Sequence, residues 1–227
     1  MPVQPKSFLS DFKGFIFDID GTLINSMKIH LKAWYEVTKR YELNLSKKEV
    51  EEQTYGINPE IVKRLFGDQT PENMVEQISN EKEALFRSLF DPEEDVIKGL
   101  FPFLESLHTL GWPMVIGSAA PPENVDFFMD RLEIRHYFKG IVHEDDVEHG
   151  KPSPEVFLKA AKIINVPPQN CVVFEDSPSG AEASAKAGSK TIAVLSSKSK
   201  SDFEDHEGVV AFIRDYTELV EAPSTAT

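Results

Sequence analysis

Gly14-Phe15-Ile16-Phe17-Asp18-Ile19-Asp20-Gly21-Thr22-Leu23 is the stretch on which the reading of this chain turns. A run of Phe and Ile, the composition of a strand buried on both faces, stops at two carboxylates one residue apart and then a glycine. In an open α/β sheet, ligands gather beyond the carboxyl ends of the strands, so acids placed there face a site. Asp18-Ile19-Asp20-Gly21 also suits a plain strand-ending turn, because Asp and Gly favour turns and Asp bonds nearby amides. The other strand ends discriminate between the two.

The chain has 227 residues, 41% of them hydrophobic, which is enough for a main domain with a smaller companion. Lys and Arg number 24 against 38 Asp and Glu, a formal charge of -14 that repels nucleic acid and anionic membrane surfaces. A small substrate carried with a cation fits that balance better. Cys171 is the only cysteine and sits in the apolar run Cys171-Val172-Val173-Phe174, so a buried free thiol is expected and no intrachain disulfide can form. Met1 to Asp11 lacks the apolar core of a secretory signal, and no stretch reaches about 18 apolar residues, so a cytoplasmic protein is expected. Ser196 to Ser201 reads as a loop and Glu221 to Thr227 as a frayed end.

Beyond the opening strand, Ser26 is placed to cap a helix carrying Leu31, Trp34, Val37 and Tyr41 at helical spacing. Ser46-Lys47-Lys48-Glu49 is a capping-box pattern; Ile61, Val62, Leu65 and Phe66 suggest a third helix, and Met74 to Leu89 a fourth. Another amphipathic helix, Leu100 to Leu110, is closed by Gly111 and precedes the strand Met114 to Gly117. One crossover helix needs far fewer residues than separate these two strands, so Lys28 to Glu94 is a helical insertion, a cap over the acids. Strands then alternate with helices: Glu123 to Arg131, Gly140 to His143, Pro154 to Ile164, Val172 to Glu175, Gly180 to Ala187, Thr191 to Leu195, Val209 to Phe212. That alternation predicts an α/β fold, a Rossmann-like doubly wound parallel sheet with helices on both faces. The expected domains are a core of residues 1–23 and 99–227, an all-helical cap of residues 28–94, and hinge linkers at 24–27 and 95–98.

Three further strand ends carry polar groups. Gly117-Ser118-Ala119-Ala120 offers small residues that let the backbone approach a ligand and a hydroxyl that can bond an oxyanion, or else an ordinary cap for the next helix. Lys151, between Gly150 and Pro152, is a candidate phosphate clamp, although a loop lysine is usually solvated. Val172-Val173-Phe174-Glu175-Asp176-Ser177 again ends an apolar run in two acids, of which a capping role explains one at most. Asp18, the Asp20 region and Asp176 supply hard oxygen ligands that suit magnesium better than zinc or copper. Strand ends bearing Asp-x-Asp, Ser, Lys and Glu-Asp fit phosphoryl transfer: a carboxylate nucleophile needs a metal and a lysine to neutralise charge, and a second carboxyl to move protons. Neither a P-loop nor a Rossmann glycine fingerprint is present.

Asp18-Ile19-Asp20-Gly21-Thr22, Ser118, Gly150-Lys151-Pro152 and Glu175-Asp176, in this order, resemble the four motifs of the haloacid dehalogenase-like superfamily, in its phosphatase and β-phosphoglucomutase-like branch. The resemblance implies Asp18 as the nucleophile forming an aspartyl-phosphate and Asp20 as general acid and base. It implies phosphoryl binding by Ser118, Ala119 and Lys151 with help from the Gly21 and Thr22 amides. Mg2+ would be held by Asp18, Asp20 through its main-chain carbonyl, Asp176, and Glu175 directly or from behind. An acid at the position of Asp20 speaks against carbon-halogen or carbon-phosphorus cleavage. Asn25, His30 and the loop Tyr55-Gly56-Ile57-Asn58-Pro59 resemble the branch's substrate-reading cap. The sugar mutases of the branch carry basic residues on either side of that glycine and a lysine after the serine, whereas Tyr55, Ile57 and Ala119-Ala120 stand here. A magnesium-dependent phosphatase for a small phosphorylated metabolite is therefore expected, acting as a monomer or weak dimer. A hexose-phosphate mutase, an inorganic pyrophosphatase and a non-enzymatic phosphate-binding regulatory module are the alternatives.

Overall fold

The computed structural model describes residues 4–221, and the chain divides into two compact units, Met1–Asn25 with Pro92–Thr227, and Ser26–Asp91. In the first unit lie the strands β1 (Gln4–Pro5), β2 (Gly14–Phe17), β3 (Met114–Gly117), β4 (Phe138–Val142), β5 (Cys171–Glu175), β6 (Lys190–Val194), β7 (Val209–Ile213) and β8 (Val220–Glu221). β2 to β7 form a six-stranded parallel sheet in the order β4-β3-β2-β5-β6-β7. The expected doubly wound sheet is thus observed, with the strand order reversing between β2 and β5. That reversal opens a crevice at the carboxyl ends of these two strands, both of which end in acids. β1 and β8 pair antiparallel as a ribbon two residues long, too short to leave a period in the sequence. Of the tail expected to fray, only Glu221 lies among the described residues, and it is paired in β8.

The second unit is helical: α1 (Met27–Arg40), α2 (Lys47–Gln53), α3 (Asn58–Phe66) and α4 (Glu72–Leu89). Trp34, Val37, Val50, Ile61, Val62, Leu65, Val75 and Ile78 bury one shared apolar cluster. The expected capping box is present at α2, where Ser46 accepts from the Glu49 amide and Glu49 accepts from the Ser46 amide. Ser26 does not cap α1. Its backbone is already helical (φ -75°, ψ -23°), which turns its hydroxyl away from the free amides, and that hydroxyl is buried with no hydrogen-bond partner among the described residues.

The first unit adds α5 (Pro92–Asp95), α6 (Leu100–Thr109), α7 (Pro122–Arg131), α8 (Glu155–Ile163) and α9 (Pro178–Ala187). Alternation along the strands sorts the sheet's two faces. Ile16, Val115 and Val173 face Val156, Phe157, Ala160 and Ala161 of α8. Phe17 and Phe174 turn to the other face, stacked with centroids 4.4 Å apart, and meet Phe103 of α6 and Tyr216. Each such ring contributes about 1.5–3 kcal/mol of burial. β4 starts at Phe138 and ends before His143, earlier than expected at both ends; the register shift between Met114 and Ile116 hides it from simple alternation. No helix among the described residues is long and apolar enough to cross a membrane.

Candidate active site

Asp18, Asp20, Ser118, Ala119, Ala120, Lys151, Glu175, Asp176 and Ser177 line one pocket of about 190 Å³ in the first unit. It lies at the reversal of strand order, where the Asp18 amide donates to the Phe174 carbonyl (3.0 Å) and carries the β2–β5 pairing one residue past the strand. Of the residues expected to bind phosphate, Gly21 and Thr22 are not among the pocket walls. The Thr22 amide is engaged elsewhere, donating to the Ile19 carbonyl (3.2 Å) because the chain after Asp20 coils back on itself. Ser118 does not cap α7, whose cap position is Pro121; its hydroxyl oxygen accepts from the Ala120 amide (3.2 Å).

Lys151 organises the charges. Its ammonium donates to Asp18 Oδ1 and to Glu175 Oε1, both at 2.6 Å, with all three side chains less than a tenth exposed. The other Glu175 oxygen accepts from the Ser177 amide (2.8 Å) and hydroxyl (2.9 Å), while Ser177 Oγ accepts from the Gly180 amide and caps α9. Ser177 is thus the capping residue at this strand end, which leaves Asp176 for the pocket.

Two glycines make room for the acids. A Cβ on Gly180 would stand 1.9 Å from the Glu175 carboxyl carbon, and one on Gly21 1.9 Å from Asp176 Oδ2. Gly21 also has φ +70°, a backbone that side chains resist. Asp176 receives a further bond from Ser197 Oγ (3.1 Å), in the loop after β6. Gly180 has no side chain and Ser197 sits in a serine-rich loop, so no motif points to them. Their signal is a contact that exists only after folding.

Four carboxylates share this pocket with one lysine, and their protonation reflects it. Burial pushes Asp18 up to about 7 against the pull of Lys151, with Glu175 and Asp20 adding to the rise. Burial and then the charges of Glu175 and Asp18 push Asp176 up to about 8. Burial works to lower the Lys151 pKa, but Asp18 and Glu175 outweigh it and hold the lysine above its ordinary value. Among the described residues, no three Asp, Glu, His or Cys side chains close on a common point as a finished metal cage. The donor set nonetheless fits a hard dication of the magnesium type, which needs only one or two carboxylates because it keeps several waters. Such an ion would favour the ionised forms of Asp18 and Asp176, which burial and the neighbouring acids oppose.

The expected substrate-reading residues have the following neighbours within their own units. The Asn25 amide donates to the Asp95 carbonyl (2.7 Å) in the first unit. His30 lies flat on Phe86 (3.9 Å), and its Nδ1 is 2.7 Å from the ammonium of Lys82, which is 2% exposed. Lysine only donates, so His30 Nδ1 is the acceptor in this contact. Lys82 also donates to Glu83 (2.7 Å), which accepts from Asn58 (2.6 Å). Tyr55 is exposed, with the Arg64 guanidinium 3.9 Å over its ring. Gly56 has φ +83°, and Arg64 donates to the carbonyls of Gln53 and Tyr55. Lys82, Glu83 and Arg64 were invisible in the sequence because lysines, glutamates and arginines on helices are ordinarily solvated.

Residues 15–194 match the model of a family described as haloacid dehalogenase-like hydrolase. The fructose-1-phosphate phosphatase YqaB of Escherichia coli (strain K12) is 32% identical over 187 residues, 81% of this chain and 96% of that protein. A phosphorylated carbohydrates phosphatase of Thermotoga maritima is 28% identical over 216 residues, 93% of this chain and 91% of that protein. Among solved structures, a HAD hydrolase of family IA, variant 3, from Entamoeba histolytica superimposes with a TM-score of 0.82 at 26% identity, covering 91% of this chain and 94% of that one.

Proposed function

We propose, starting from the fact that this chain belongs to the haloacid dehalogenase-like hydrolase family, that it is a magnesium-dependent phosphatase of a small phosphorylated sugar or polyol. The observation that carries this reading is the Lys151 ammonium held 2.6 Å from both Asp18 and Glu175, in the pocket that Asp20, Ser118 and Asp176 also line. The names of two phosphatase relatives, one acting on fructose 1-phosphate and one on phosphorylated carbohydrates, support the substrate class.

Asp18 attacks phosphorus through a carboxylate oxygen while the bond to the substrate oxygen breaks, giving an aspartyl-phosphate. Asp20 passes its proton to the departing oxygen, which leaves as an alcohol. The Asp20 carboxylate then takes a proton from water, the hydroxide attacks the phosphoryl group, and the Asp18–phosphorus bond breaks to free phosphate and the carboxylate. Lys151, the Ser118 hydroxyl and the Ala119 amide bind the phosphoryl oxygens. Asp18, Asp176 and the Asp20 main-chain carbonyl would hold Mg2+, which when bound supplies positive charge to the carboxylates and the phosphoryl group. Glu175 has both oxygens bonded already, so it acts chiefly by holding Lys151 and Ser177. A mutase finds less support: Tyr55 and Ile57 flank Gly56 with no cation, and neighbouring Arg64 is bound to backbone carbonyls.

The test is a panel of sugar, polyol and organic phosphates assayed for phosphate release with and without Mg2+. Release from sugar phosphates, abolished by Asp18→Asn, is expected. Isomerised product without net phosphate would replace this reading by the mutase, and turnover unchanged in Asp18→Asn would end it.

A further inference from the structure

Tyr216 lies outside the stretch matched by the family and takes no part in the pocket wall, yet it is fully buried beneath the acid loop. Its ring packs against Phe103 (5.2 Å), Phe174 (5.9 Å) and Phe17 (6.5 Å), the residue just before Asp18. Its hydroxyl donates to the Thr22 carbonyl (3.2 Å), two residues beyond Asp20, and its amide donates to the Lys98 carbonyl (2.9 Å).

Those two bonds grip both chain segments that leave this unit. Between them the segments are zipped: the Ile97 amide donates to the Leu23 carbonyl, Ile24 pairs with Val96, and the Asn25 amide donates to the Asp95 carbonyl. The acid loop itself is wound about one atom, the Ile19 carbonyl, which accepts from the amides of Thr22 (3.2 Å), Leu23 (2.9 Å) and Ile24 (3.2 Å). Ile19, Thr22 and Ile24 are all fully buried. A loop wound on its own carbonyl is held from inside. The Thr22 carbonyl takes no part in those three bonds and accepts from the phenol of Tyr216.

We propose that Tyr216 is a positioning residue: by holding the Thr22 carbonyl and the Lys98 carbonyl together, it sets the seat of Asp20 for proton transfer. The proposal rests on the phosphatase reading for the role of Asp20. Without the hydroxyl, Thr22 has a buried carbonyl deprived of this donor, and the loop that carries Asp20 shifts to recover one. Asp18 is held separately by Lys151 and the Phe174 carbonyl, so the nucleophile keeps its place.

The experiment compares Tyr216→Phe with the wild type on an alkyl phosphate, which needs a proton on its leaving oxygen, and on p-nitrophenyl phosphate, whose leaving group departs without one. kcat/KM for the alkyl phosphate is expected to fall about tenfold or more, with that for p-nitrophenyl phosphate nearly unchanged. Asp20→Asn should show the same dependence on leaving group, more strongly. Gly99→Ala is the second variant, since its Cβ would come 2.7 Å from the Thr217 amide and 3.1 Å from the Tyr216 carbonyl carbon, moving Tyr216 without removing the phenol. Equal losses on both substrates mean a merely structural role and overturn the proposal, as does no loss on either. Amide hydrogen exchange over residues 19–25 reads the anchor without turnover: faster exchange in Tyr216→Phe is expected, and unchanged exchange overturns the anchor whatever the activity. A wild type with no phosphatase activity removes the role assigned to Asp20, and the proposal with it.

Discussion

Gly180→Ala adds one methyl group on a helix, where alanine ordinarily stabilises by about 0.5–1 kcal/mol relative to glycine. Here the new Cβ would stand 1.9 Å from both the carboxyl carbon and Oε1 of Glu175, whereas Cβ contacts under 3.0 Å essentially do not occur. Glu175 must therefore retreat by at least 1.1 Å, away from the helix and toward the pocket that it lines. Oε1 is the atom that receives the Lys151 ammonium at 2.6 Å, so the retreat can carry that bond past the roughly 3.2 Å limit of an N–H···O hydrogen bond. Lys151 then leans toward Asp18 alone and leaves the position from which, on the proposed reading, it binds the phosphoryl group. A misplacement of about 1 Å in a catalytic site costs on the order of 100-fold in rate. Overpacking costs about 1–3 kcal/mol against the helix gain, a net loss near 1 kcal/mol and a Tm drop of about 2–4 °C. Steady-state kinetics on the best sugar phosphate, paired with thermal unfolding, is the assay. Shortening the acid in Gly180→Ala with Glu175→Asp should recover part of the rate. A single variant with kcat within about twofold of wild type would show that the seat of Glu175 does not govern Lys151.

Other outcomes follow from the same geometry. Lys151→Met leaves Asp18 and Glu175 without their shared cation and should reduce kcat/KM by about 10³-fold or more, seen as loss of phosphate release in a folded protein. Mg2+ should raise the Tm of the wild type and chelation should abolish turnover, while Asp176→Asn should lose most of the Tm response; calorimetric scans with and without Mg2+ measure both. Burial raises the Cys171 thiol from 9.0 to about 11, so iodoacetamide at pH 8 should label the unfolded chain but not the native one. Because the native state holds that proton more tightly, stability should decline as pH rises from about 9 through about 11, and Cys171→Ala should flatten the decline in chemical-denaturation curves. Ser177→Ala removes the α9 cap and one Glu175 bond together, with an expected loss of about 1 kcal/mol in unfolding free energy.

Legibility in the sequence followed the kind of physics involved. Buried parallel strands must be apolar on both faces, so β2, β3, β5 and β6 stood out as runs, and acids ending two of them stood out by contrast. The capping box of α2 was legible because both partners lie within four residues. Ser26 matched a cap by type yet failed as one, since capping depends on a backbone angle and not on residue identity. Thr22 matched a phosphate-binding motif, but its amide is spent inside the loop. Tyr216 went unnoticed because an aromatic residue near the end of a chain has no local partner to betray it.

From its order of residues alone, the chain determined a parallel α/β sheet and singled out Asp18, Asp20, Ser118, Lys151, Glu175 and Asp176, which line one pocket in the structure. Strand order, side-chain pairing and protonation were decided only by the tertiary structure. Lys151 sits 133 residues from Asp18 in sequence and 2.6 Å from it in space, and no periodicity encodes which of two carboxylates a lysine will hold. Gly21 and Gly180 are glycines because acids from other elements come within a bond length or two of where a side chain would begin. Local chemistry is written residue by residue, but closeness between distant residues exists only once the sheet has brought its strand ends together.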